Sequence, residues 1–109
     1  MASQKPKLYG SIKKRYPKYI EAVELLGEAV AEAGPLDDKT LQLVQLAGAA
    51  ASRSEGAVHS HTRRALKAGA SAEEVRHALL ALTSTIGFPN VTAALSWAED
   101  VLEPVGEAD

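Results

Sequence analysis

Ser54-Glu55-Gly56-Ala57-Val58-His59-Ser60-His61-Thr62-Arg63-Arg64-Ala65-Leu66-Lys67-Ala68-Gly69 decides how this chain folds and where its chemistry lies. It reads as one helix, from about Glu55 to Ala68, closed by Gly69 as a left-handed C′ residue. At about 3.6 residues per turn, Ser54, Ala57, Val58, His61 and Ala65 form one stripe. Glu55 and His59, four apart, fall on a neighbouring stripe with Thr62 and can pair. His61 then points almost opposite to His59. A carboxylate and two imidazoles in an Ala/Leu/Val-rich helix make this stretch the candidate site.

Outward from it, nearly every segment has helical period. Ser71-Ala72-Glu73-Glu74 fits a capping box opening a helix with Val75, Ala78, Leu79, Leu82 and Ile86 on one face. Gly87-Phe88-Pro89 breaks that helix, and Pro89 suits the first turn of the next, whose stripe is Val91, Leu95, Ala98 and Leu102, ending before Pro104. Upstream, Asp37 or Asp38 caps a helix through Leu41, Val44, Ala47 and Ala51 to about Arg53, with Gly48-Ala49-Ala50-Ala51 a smooth surface for close packing. An earlier helix starts at Ser11 or Pro17, runs to Ala33, buries Ile20, Val23, Leu26, Gly27 and Val30, and stops at Gly34-Pro35. Residues 1–10 read as a flexible polar tail and 11–103 as a single domain. No strand-period segment appears, so the expected class is all-α.

Composition narrows the functions. The 109 residues carry a net charge of −2, no cysteine, and only one Trp, three Tyr and one Phe. A chain this short buries about two-thirds of its unfolded surface, and a core of Ala, Leu and Val adds little area per residue. Oligomerisation is the expected remedy. Zero cysteine excludes disulfides, thiolate metal sites and thiol catalysis by this chain. The charge gives no reason to expect nucleic acid, and Lys5, Lys7, Lys13, Lys14, Arg15 and Lys18 read as a solvated face. No apolar run spans a bilayer and no signal-type segment opens the chain, so a soluble, cytoplasmic protein without membrane contact is expected.

Several stretches in order also resemble the carboxymuconolactone decarboxylase / AhpD-like family: Leu36-Asp37-Asp38-Lys39-Thr40-Leu41-Gln42-Leu43-Val44, then the His61–Ser71 run, Glu73-Glu74-Val75, Ala78-Leu79 and Gly87-Phe88-Pro89. The resemblance runs from about Leu36 to Leu102. It implies an AhpD-like bundle of about five to six helices, assembled into trimers or hexamers with pockets at subunit contacts.

In the thiol-peroxidase branch of that family, two cysteines, a glutamate and a histidine do the chemistry. The matching positions here are Ser54, Ala57, Gln42 and His61. A serine hydroxyl and an alanine methyl have no thiol redox chemistry, so dithiol peroxidase activity is not expected. The decarboxylase branch acts without thiols and often has a glutamate four residues before the histidine, where this chain has Ala57. Glu55 matches instead the glutamate that accompanies the cysteine pair in many thiol members.

Three readings follow. In the first, His61 is a general acid/base with Glu55 or His59 as partner, acting on a small organic acid or lactone, with Ser54, Gln42 and Phe88 lining the substrate pocket. In the second, Glu55-x3-His59 holds a metal whose third ligand comes from a subunit interface. In the third, Glu55–His59 is a surface pair, His61 a buried remnant, and the protein a non-catalytic binding oligomer. The expectation from the sequence is no cofactor and no bound metal, the second reading being kept as an alternative. His77 should be solvated and Trp97 a core or interface anchor.

Overall fold

The computed structural model describes residues 7–102. Seven helical segments run in order: α1 Lys7–Arg15, α2 Pro17–Glu32, α3 Asp38–Ala51, α4 Glu55–Lys67, α5 Ala72–Leu80, α6 Thr83–Ile86 and α7 Phe88–Glu99. No strand occurs among the described residues, so the class is all-α. Lys5 and Pro104, named above, lie outside the described residues. These residues part into two compact units, 7–37 and 38–102.

The first unit is the α1–α2 pair. Two helices stand where one was expected, because Tyr16 is non-helical (φ −132°, ψ 67°), as the residue before a proline tends to be. Pro17 then opens α2 without losing a needed N–H. The first helix begins at Lys7, inside the stretch read as a polar tail. Lys13, Lys14 and Arg15 stand in its last turn, where cations complement the helix dipole. Tyr9 Oη donates to Glu24, and Lys13 Nζ lies 3.4 Å from the same carboxylate. The expected apolar face of α2 is only partly buried: Ile20 is covered, whereas Val23, Leu26 and Val30 are exposed. Periodicity specifies a face, not what covers it.

The second unit holds the core, built from Leu46, Ala49, Ala50, Val58, Ala65, Ala70, Val75, Leu79, Ala94, Ala98 and Leu102. α3 packs on α4, and α7 lies against α3, α4, α5 and α6. The buried side of α3 is not the expected one. Val44 and Ala51 are exposed, while Leu46, Ala49 and Ala50 are buried. Apolar residues surround α3 on most sides, so the three-to-four spacing fits more than one stripe. Gly48 is exposed and a Cβ there would meet nothing within 4 Å, so Ala49 and Ala50 alone provide the close approach.

Between α5 and α6 the expected continuous helix is interrupted at Ala81–Leu82. Leu82 N–H turns back three residues to Leu79 O, and the Thr83 hydroxyl donates to Leu80 O at 2.7 Å. A β-branched hydroxyl residue that takes a backbone carbonyl competes with the helix ladder. Gly87, at φ 91°, then lets the chain turn into α7.

Two helix C-terminal motifs frame α4, the helix of the Ser54–Gly69 stretch. After α4, Gly69 at φ 104° donates to Leu66 O while Ala70 N–H reaches Ala65 O, the Schellman pattern. After α3 the same pattern recurs, with Arg53 N–H on Ala50 O and Ser54 N–H on Ala49 O. Here the left-handed residue is Arg53, at φ 58°. A Cβ in that region costs about 1–2 kcal/mol, and glycine's greater unfolded-state freedom offsets about half of it. Arg53→Gly should therefore stabilise the protein by about 0.5–1 kcal/mol, read as a rise in urea midpoint at unchanged slope. A lower midpoint would show that the Arg53 side chain holds the α3–α4 turn.

Candidate functional site

The α3–α4 packing brings two residues nineteen apart in sequence into contact. His61 Nδ1 lies 2.9 Å from Gln42 Oε1. An amide oxygen only accepts, so the ring carries its proton on Nδ1 and donates it, leaving Nε2 with a free lone pair. Both residues are half-buried. Burial holds His61 below the ordinary histidine value of 6.5, and the positive Arg64, one turn on, pushes the same way. At neutral pH the group is thus a neutral imidazole with a fixed tautomer.

Ser54 has another task. It is the N-cap of α4, in extended conformation, and its Oγ accepts from Ala57 N–H at 3.3 Å. This satisfies one of the four free N–H groups of the helix start and fixes where α4 begins, hence where His61 lies. Phe88 is 66% exposed at the head of α7. His77 is exposed, and Trp97 is half-buried against the core.

The contacts of Glu55 and His59 run to each other and to Asp100. His59 Nε2–H donates to Asp100 Oδ2 at 2.9 Å, and the same nitrogen is 4.0 Å from Glu55 Oε2. The principal partner of His59 is thus a carboxylate at the far end of α7, which sequence reading did not single out. Nothing local to α4 signals it, because 41 residues separate the pair. One turn further along that face, Thr62 is fully buried with its hydroxyl unpartnered.

Nearby, Arg76 grips Glu99 through two bonds, Nε to Oε2 at 2.6 Å and Nη2 to Oε1 at 3.1 Å. The capping box of α5 forms as expected, with Glu74 N–H on Ser71 Oγ and Ser71 N–H on Glu74 Oε1. Lys39 Nζ reaches the same Glu74 carboxylate at 3.1 Å and ties α3 to the start of α5. These bonds hold Glu74 below the usual carboxylate range, led by the Ser71 N–H and then Lys39.

An all-helical domain whose signature helix carries an amide-held imidazole and no thiol defines the class. The chain belongs to the carboxymuconolactone decarboxylase family, whose model matches residues 17–100. That match reaches further towards the N-terminus than the motifs from Leu36 suggested. An uncharacterized protein of Haemophilus influenzae is 41% identical over 59 residues, 54% of this chain and 52% of the relative's own length. The uncharacterized protein MJ1511 of Methanocaldococcus jannaschii is 32% identical over 96 residues, 88% of this chain and 87% of that protein. No solved structure matches the chain significantly. Among the described residues, no helix is long and apolar enough to cross a membrane.

Proposed function

We propose that this protein binds a small organic acid, lactone or related metabolite at His61 and uses the neutral imidazole as a proton acceptor. The observation that carries the reading is the 2.9 Å contact between His61 Nδ1 and Gln42 Oε1, which frees Nε2 for a substrate proton. The depressed pKa supports it, since a base already neutral at physiological pH needs no prior deprotonation. Thiol redox chemistry plays no part, as the chain has no cysteine. The exposed Val23, Leu26 and Val30 of α2 support assembly into a homo-oligomer, a trimer or hexamer by family likeness. Glu55 and His59, whose ligand atoms lie within 4.8 Å of one another and of Asp100, take no part in this reading.

A second reading has its own support. Gln42 cannot accept or release a proton near neutrality, so the site lacks a relay and suits binding without turnover.

Long-range ¹H–¹⁵N spectra of the histidine rings, with a thermal-shift screen of small carboxylates and lactones, test both readings. The expected result is an Nδ1–H tautomer for His61 at pH 8, with ligand stabilisation that disappears in His61→Gln. Stabilisation without consumption of any hit selects the binding module. A random-coil mixture of tautomers, or stabilisation unchanged in His61→Gln, removes His61 from the site.

A further inference from the structure

Glu55 and His59 on α4 and Asp100 just beyond α7 place a carboxylate oxygen, an imidazole nitrogen and a second carboxylate oxygen within 4.8 Å of one another. We propose that these three side chains bind a divalent first-row transition cation of the Zn²⁺ type, at a site separate from His61.

Ligand spacing is the first argument. Around a tetrahedral ion with metal–N and metal–O bonds of about 2.0–2.2 Å, donor atoms sit about 3.4 Å apart. The observed 2.9 Å from His59 Nε2 to Asp100 Oδ2 and 4.0 Å from His59 Nε2 to Glu55 Oε2 bracket that value. Small rotations of two carboxylates that are each 58% exposed close the difference. The Glu-x3-His spacing puts both α4 ligands on one face, and the packing of α4 on α7 delivers the third within the same chain. Coordination at Nε2 requires the lone pair there, so the neutral ring shifts its one proton from Nε2 to Nδ1 as the ion binds.

Electrostatics is the second. Asp100 is the C-cap of α7, and no basic residue occupies the last turn of that helix. Its charge therefore adds to the negative pole of the helix dipole. The neighbouring Glu99 already has Arg76, whereas Asp100 is met by His59, which is cationic only if protonated. A dication relieves that repulsion in a way a neutral imidazole does not. The imidazole donor selects Zn²⁺, Ni²⁺, Cu²⁺ or Co²⁺ over Mg²⁺ and Ca²⁺, which prefer all-oxygen shells.

The test is calorimetric titration of the chelator-treated full chain with Zn²⁺ alone, with Mg²⁺ as competitor. One ion should bind per chain, and millimolar Mg²⁺ should not displace it. His59→Gln and Asp100→Asn should each weaken binding by about 10-fold or more, while His77→Gln leaves it unchanged. Circular dichroism verifies that the variants, all at partly exposed positions, keep their helix content. The proposal is overturned if the wild type binds Zn²⁺ no better than the His59→Gln/Asp100→Asn double variant. That result would mean either no binding or binding elsewhere, and His59–Asp100 would be an ion pair only.

Discussion

Leu46→Ala should cost about 3–5 kcal/mol and lower the melting temperature by about 15–25 °C. Leu46 is fully buried on α3, and its large fully buried apolar companions in the second unit are Leu79, Val58, Val75 and Val91. Much of the remaining cluster is alanine: Ala49, Ala50, Ala65, Ala94 and Ala98. A cavity left by a missing isobutyl group closes when long neighbours swing into it, and alanine methyls have no reach. The loss should therefore fall towards the top of the usual range for Leu→Ala. Against a total of about 5–15 kcal/mol for a domain, that is severe. Gln42 sits one helical turn before Leu46, so the variant should also loosen the amide that orients His61. Thermal and urea unfolding read the first effect, and the His61 ring resonances read the second. A cost below about 1.5 kcal/mol would mean that the helices of this unit slide together to refill the space.

The elements that could be read directly are those written in local chemistry. Ser71 and Glu74 announce a capping box, Gly69 a left-handed stop and Gly87-Phe88-Pro89 a turn, and each forms where expected because its partners lie within four residues. The buried face of α3 is not legible in its spacing, because leucine, valine and alanine occupy several of its sides and only its contact with α4 decides which stripe goes inward. Arg53 in a left-handed position is a tertiary override: the tight α3–α4 turn imposes the conformation on whichever residue stands there. For the site, helical spacing separates His61 from His59 but cannot supply the residues opposite them. Gln42 entered through family likeness, and its contact with His61 depends on α3 crossing α4 at one register. Asp100 had no sequence signal, since an aspartate after a helix is ordinary until the fold sets it beside an imidazole.

Gln42→Glu should reverse the protonation behaviour of His61. In the wild type, burial and Arg64 hold its pKa below 6.5, so at low pH the unfolded chain binds a proton that the folded protein resists. The stabilising contribution of the neutral ring is present above the unfolded value and is lost as pH falls through the folded one. A carboxylate in place of the Gln42 amide, at hydrogen-bonding distance from Nδ1, favours the imidazolium. The folded pKa then rises above the unfolded value, and the sign inverts. The contribution is now complete below the unfolded pKa and fades as pH climbs through the folded one. A proton titration of His61 should show its midpoint crossing from below the ordinary histidine value to above it. The variant should also lose most base activity at neutral pH, because Nε2 is then protonated. An unmoved His61 midpoint in Gln42→Glu would show that the two side chains do not touch in solution, and the reading of His61 as a prepared base would fall with it.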